Sequence, residues 1–230
     1  MMTKKISRSL LALLIAGAVS AAASAEQSGQ PTSLDADTLT YDTRTGVVTA
    51  ETNVVMVQGS ARVAGQRATY NTKTEEGTIE GGVVATREDM RLTCDRLFAE
   101  SRQHWQASGN VNMSQAGRTF TGAKADYFPE QNGYILAEAG GTITSPDGTL
   151  SADRLEGWLK EEHYIGTGNA HILSPPRDME GGGDRMDYFG GEPRRRVVLT
   201  GHAWVLQGNN MARGNRMTVY LADDGTPATE

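Results

Sequence analysis

Past the first thirty or so residues, the chain is written in short runs in which apolar and polar positions alternate. Trp105, Ala107, Gly109, Val111 and Met113 share one parity. So do Tyr164, Gly166, Gly168, Ala170 and Ile172, and likewise Val197, Leu199, Gly201, Ala203 and Val205. A period of two with one apolar face predicts half-buried β-strands. A second kind of run switches parity part-way: Leu150 and Ala152 against Leu155, Phe120 and Gly122 against Ala125 and Tyr127, Leu92 and Cys94 against Leu97. Such a switch beside a small residue predicts a bulge or bend. Polar turn segments such as DTRTG, NTKTEEG, PEQNG, SPDG and QGNN separate the runs, as expected at strand ends.

The two kinds of run recur in order. Segments beginning at Ala36, Gly65, Cys94, Gly122, Ala152, Gly183 and Gly214 share one shape and are spaced by 29, 29, 28, 30, 31 and 31 residues. They alternate with ETNVVM, EGGVVA, SGNVNM, AGGTIT, TGNAHI and TGHAWV. The triple glycine of EGGGDRMDY is thus one copy of a structural corner; it lacks the flanking helix and the Lys-Ser or Lys-Thr pair of a phosphate loop. The expected fold class is all-β: an elongated antiparallel β-jellyroll of about seven two-strand repeats of ~30 residues, open at both ends, with about fourteen strands. A parallel β-helix competes, but turns short enough for antiparallel neighbours favour the jellyroll.

Lys4, Lys5 and Arg8, the apolar run LLALLIAGAVSAAA and Ala23-Ser24-Ala25 have the three parts of a cleavable secretory signal. An uncleaved membrane anchor is the alternative. The expected organisation is signal peptide 1–25, a disordered linker 26–33, one domain over 34–221 and a disordered tail 222–230. Export to the periplasm follows. Loss of three basic residues takes the formal charge from −6 to −9, which argues against nucleic acid as a partner. The single Cys94 cannot form an internal disulfide.

The chemistry-bearing residues point away from catalysis. His104, His163, His171 and His202 have no metal-ligand spacing, and no serine sits in a G-x-S-x-G elbow. Asp95, Asp153 and Asp184 recur at equivalent repeat positions, which suits architecture better than an acid–base pair. No enzyme, cofactor or metal is expected. The next position is basic in six of seven copies: Arg67, Arg96, Lys124, Arg154, Arg185 and Arg216. Either these pair with the adjacent aspartates, or they form a rail for phosphates. The inward positions form an apolar face: Leu39, Tyr41, Ala68, Tyr70, Ile79, Val83, Leu97, Trp105, Val111, Met113, Ala125, Tyr127, Ile143, Leu155, Trp158, Ala170, Ile172, Met186, Leu199, Ala203 and Val205. Inward glycines underfill it, which would permit a lipid groove; a filled core is the alternative.

LDADTLTYD near the mature start, the ADRLEG and SGNV repeats and GQRATYNTKTEEGTIEGGV over 65–83 resemble the OstA/LptA-type family of lipopolysaccharide transport. The resemblance spans about 34–221. It implies a periplasmic jellyroll whose interior holds lipid A acyl chains. It implies head-to-tail contacts through open edges, placed near Leu34–Tyr41 and Met211–Leu221, where no proline blocks pairing. The implied partners are lipopolysaccharide, an inner-membrane-anchored relative and an outer-membrane assembly component. An anchored relative of the same system, or a structural or adhesive β-solenoid without lipid, are the competing readings.

Overall fold

The structure, a computed structural model, describes residues 32–100, 104–128, 130–158, 161–190 and 195–221. The expected signal peptide, the linker up to residue 31 and the tail from 222 lie outside the described residues. The chain divides between Ser108 and Gly109 into two compact units.

The first unit holds β1 (Thr32–Asp35), β2 (Thr38–Asp42), β3 (Val47–Gln58), β4 (Ala61–Asn71), β5 (Glu76–Arg87) and β6 (Met90–Glu100). The next strand, β7 (His104–Gln115), runs from this unit into the second. The second unit continues with β8 (Arg118–Phe128), β9 (Tyr134–Ala137), β10 (Gly141–Ser145), β11 (Gly148–Ala152) and β12 (Arg154–Trp158). It ends with β13 (His163–Ser174), β14 (Met179–Phe189), β15 (Arg196–Gln207) and β16 (Asn210–Tyr220). The pairings are antiparallel between neighbours in chain order, the arrangement that short polar turns favour. The β1–β2, β9–β10 and β11–β12 pairs are each one strand broken at a corner: both halves of β1–β2 lie on β3, and both halves of β11–β12 lie on β13. The all-β antiparallel class is as the alternation predicts. Among the described residues there are sixteen strands rather than about fourteen, because three break at the corner and the last repeat contributes only its first strand there.

Each strand turns at the same level, and the register shows how. Glu51 faces Arg67 and Val54 faces Gly65, so Thr52 and Asn53 oppose Gln66 alone. Gly81 and Gly82 likewise oppose Asp95, Gly168 and Asn169 oppose Asp184, and Gly201 and His202 oppose Asn215. These bulge pairs have left-handed backbone: φ is 87° and 68° at Gly81 and Gly82, 75° and 46° at Gly168 and Asn169, and 70° and 48° at Gly201 and His202. The bend was expected in the runs that switch parity. The switch is there, since Gln66 and Arg67 both face solvent between buried Gly65 and half-buried Ala68. The extra residue and the left-handed backbone, however, fall on the facing strand, which must be longer by one residue to travel round the outside of the bend.

The aspartate column closes these corners. Asn53 Nδ2 donates to Asp37 Oδ2 at 3.0 Å, and Asn169 Nδ2 donates to Asp153 Oδ2 at 2.8 Å. Asp184 holds Nδ1 of His202 at 2.9 Å. Backbone bonds from Asp37 N–H to the Thr52 carbonyl and from Asp153 N–H to the Gly168 carbonyl add a second tie. Asparagine tolerates the left-handed region better than most residues, which accounts for its place at these pairs. The carboxylates are committed to architecture.

Candidate functional site

In the first unit the bend lets one run of strands form two facing half-sheets. One contributes the inward row Leu34, Met56, Val63, Ala85 and Leu92, register partners from β1 to β6. The other contributes Ala50, Ala68, Ile79 and Leu97. Val54, Val63, Ile79, Val83 and Leu97 are at most 2% exposed. Between the half-sheets near β1 lies an apolar slot lined by Leu34, Val48, Ala50, Met56, Val63, Ala68, Thr69, Tyr70, Thr78 and Ile79. Its closed room is about 20 Å³, enough for a water and far below the roughly 300 Å³ of a pocket that engulfs a small ligand.

The second unit has a tighter interior. Ala137, Ala152, Leu155, Ala170, Met186, Val197, Leu199 and Ala203 form a buried cluster, with Phe120, Ile143, Leu150, Ile172, Tyr188, Val205, Met217 and Leu221 packed on it. The inward glycines do not leave this interior underfilled. A Cβ on Gly166 would stand 3.0 Å from Ala152 Cβ and 3.5 Å from both Leu155 Cδ2 and Met186 Cε. One on Gly181 would meet Leu199 Cδ1 at 3.2 Å, and one on Gly157 would run into the Tyr164 ring. Large side chains on neighbouring strands lean over each glycine and occupy its space. Gly109, Gly168 and Gly201, with φ of 72°, 75° and 70°, are glycines because they sit in the left-handed corner.

Of the expected inward residues, Ile79, Val83, Leu97, Trp105, Val111, Leu155, Ala170, Met186, Leu199 and Ala203 are buried. Ala68, Tyr70, Met113, Ala125, Tyr127, Ile143, Ile172 and Val205 are half-buried. Leu39 and Tyr41 differ, at 52% and 55% exposed. They oppose Ala50 and Val48, which line the slot, but β2 is an edge strand with no described neighbour beyond it. Trp158 is on the wrong face. In the β12 alternation Leu155 and Gly157 are buried, while Arg154, Glu156 and Trp158 point the other way.

Residues 33–224 match the sequence profile of the family described as "LptA/(LptD N-terminal domain) LPS transport protein". The chain belongs to that family. No curated protein matches it. Among solved structures it is similar to "LptH, the LptA homologous periplasmic component of the conserved lipopolysaccharide transport device from Pseudomonas aeruginosa". The identity is 22%, over 44% of this chain and 78% of that one, with a TM-score of 0.40.

On the outer faces of this member of the LptA/LptD N-terminal family, the basic column is largely neutralised. In the first unit Glu51, Arg67, Glu80 and Arg96 are direct cross-strand partners in alternating sign, and Arg67 Nη2 stands 3.4 Å from Glu51 Oε1. In the second unit the row reads Arg154, Thr167, Arg185, Thr200 and Arg216. The acids there lie two residues along the same strand: Lys124–Asp126 at 3.2 Å, Arg154–Glu156 at 2.7 Å and Arg185–Asp187 at 2.7 Å. The adjacent Asp153 and Asp184 turn instead to Asn169 and His202 of the facing bulge pairs.

The Arg185 guanidinium donates two bonds to Asp187 and holds its carboxyl below the usual range against the opposing effect of burial. Burial raises Glu156, but hydrogen bonds from Arg154 and Tyr134 outweigh it and leave the group lowered. Burial, with the bond to Glu156, pushes the Tyr134 phenol up to about 12. Burial also pushes the Cys94 thiol up to about 11, which keeps it protonated and unreactive.

Sequence reasoning missed one feature of this face. Phe128, Tyr134, Trp158, His163 and Phe189 stack across five strands with centroids 4.5–5.8 Å apart, and the Arg196 guanidinium lies 4.1 Å over the Phe189 ring. Each is a cross-strand partner of the next. The signal was present: each ring flanks a polar turn, on the same parity as the charged column. Their faces are spent on one another, so the ladder ties strands together.

Proposed function

We infer that this protein carries lipopolysaccharide through the periplasm, with acyl chains held between facing half-sheets and chains joined head to tail. The observation that carries the reading is the apolar inward face that both halves of each bent strand contribute in either unit, with polar and charged residues on the outside. An acyl chain of a dozen carbons is worth on the order of 9 kcal/mol when moved from water to such a face.

The edges suit the joining role. Strands β1 and β2 have β3 on one side and no described strand on the other; β16 has β15 and no other described strand. Unpaired strand edges accept a further strand. The first edge carries exposed Asp35 and Asp37, the last carries exposed Arg213 and Arg216 with no acid between Asn210 and Tyr220. Opposite charges favour a heterologous junction over joining two like edges. The partners proposed are a second copy, an inner-membrane-anchored relative and an outer-membrane assembly component.

The test is photo-crosslinking in the periplasm with a photoreactive residue at Val111, Ala170 or Leu199. Lipopolysaccharide adducts are expected there and not at outward Asn112 or His171. Absence of adducts at all three inward positions, in folded exported protein, would instead favour a filled β-stack with a structural role.

A further inference from the structure

The apolar slot of the first unit is closed on one side by a very small element. Leu34 is the only residue of β1 in the slot's lining, opposite residues of β3, β4 and β5 that include Ala50, Met56, Val63 and Ile79. The strand that carries it is four residues long and is held to β3 through the four pairs from Thr32–Gln58 to Asp35–Val55. The other strands of this half-sheet, β4, β5 and β6, are 11 or 12 residues long and continue unbroken round the corner. They cannot leave without dismantling both half-sheets, whereas β1 can.

The base of β1 is built as a joint. The break between β1 and β2 falls at Ala36 and Asp37. Asp37 is pinned from both sides, its N–H donating to the Thr52 carbonyl at 3.0 Å and its carboxylate accepting from Asn53 at 3.0 Å. Ala36 is thus the one position between the pinned Asp37 and the strand β1. Thr52 has φ of 63° where the equivalent residues of later repeats are Gly81, Gly109, Gly168 and Gly201. A β-branched residue in the left-handed region is strained, so this corner is the least comfortable of the series. Beside the joint, the inward side chains of β2, Leu39 and Tyr41, are more than half exposed. Apolar surface is thus already presented to solvent one strand from the slot.

We propose that β1 is a displaceable strap. Leu34 plugs the apolar slot, and an acyl chain enters as β1 swings away from β3 about Ala36. Leu34 and the acyl chain compete for the same surface of Ala50, Met56 and Ile79. The strap exchanges four residues' worth of edge pairing and one half-buried leucine for a longer alkyl chain, a trade the apolar area favours. This device rests on the lipid-carrier reading of the interior and adds the means by which its first subsite is opened.

The test locks the strap shut. Ser33 and Val57 are direct partners across β1 and β3. Opposed residues of antiparallel strands have Cα atoms about 4.5–5.5 Å apart, within disulfide reach. In Ser33→Cys/Val57→Cys protein, with Cys94→Ala, binding of fluorophore-labelled dodecanoic acid is measured oxidised and after reduction. The oxidised form is expected to bind at least about tenfold more weakly, roughly 1.4 kcal/mol, with full recovery on reduction. Leu34→Ala, which removes the plug and leaves the strand, is expected to bind several-fold more tightly than the parent. Equal binding by oxidised and reduced forms, or unchanged or weaker binding by Leu34→Ala, overturns the strap and leaves the carrier reading standing. No binding by the parent, the reduced form or Leu34→Ala overturns both.

Discussion

Asn169 reaches back across the corner and donates a 2.8 Å hydrogen bond to Asp153, the residue at which β11 gives way to β12. The same bond joins Asn53 to Asp37 in the first unit. It ties the left-handed pair on one strand to the break in its neighbour. Asn169→Asp would set two carboxylates against each other at this spot. It is expected to cost about 1–3 kcal/mol, more than Asp153→Ala, because a like charge is added as well as a bond lost. Chemical denaturation of the two variants checks the order; equal losses would mean that the bond does little.

Thr52 stands in left-handed backbone at φ 63°. Thr52→Gly removes a strain of about 1–2 kcal/mol, less the entropy glycine loses on folding. A net gain in stability of up to about 1 kcal/mol is expected. Gly168→Thr, the mirror change, should destabilise by more than that, since its Cβ would also press on the Asp153 carboxylate at 2.7 Å. A destabilised Thr52→Gly would sink the strain argument.

The Arg185–Asp187 pair makes an acid-limb prediction. The folded-state carboxyl is lowered, so its contribution is fully present above the ordinary aspartate value of about 4. That contribution is lost as pH falls through the folded value. Arg185→Met should lower Tm at pH 7 and change it less at about pH 2, because the parent's Asp187 gives up the pair only as pH falls through its lowered value. The same Tm difference at both pH values would show that the pair contributes packing only.

Trp158 and Met186 separate the two faces. Trp158→Ala removes ring contacts to Tyr134 and His163, costing about 0.5–2 kcal/mol at the usual worth of cross-strand pairs. Met186, fully buried, should cost about 2–5 kcal/mol when cut to alanine. Lipopolysaccharide crosslinking at Leu199 is expected to survive Trp158→Ala unchanged. Its loss would move the tryptophan into the binding path.

The charges on the two edges can be exchanged. Arg213→Glu/Arg216→Glu is expected to weaken self-association measured by analytical ultracentrifugation, as should raising salt from about 0.1 to 1 M. Adding Asp35→Lys to the same chain, which leaves the Asp37 corner intact, should restore part of it. Failure of the restored chain to associate would place the junction elsewhere.

The repeat, the strand alternation and the level of the corner were legible in the residues themselves. All three are local: side chains alternate with period two along any strand, and turn residues act within a few positions of their own place. The parity switch at Cys94, Gly122 and Ala152 marked the bend before any neighbour was known. What depended on neighbours was not legible. Only cross-strand register shows that the left-handed pair belongs to the facing strand. Only the folded corner shows that Asp184 turns to His202 and leaves Arg185 to Asp187, and only register shows that Trp158 completes a ladder with Tyr134 and His163. The state of the interior was the hardest to read, because a glycine's empty place is filled or left open by side chains one strand away. Gly166 is covered by Leu155 and Met186, and the slot of the first unit is lined from β1, β3, β4 and β5 together. Sequence spacing carries the period of a repeat, but the filling of space is a property of three strands at once.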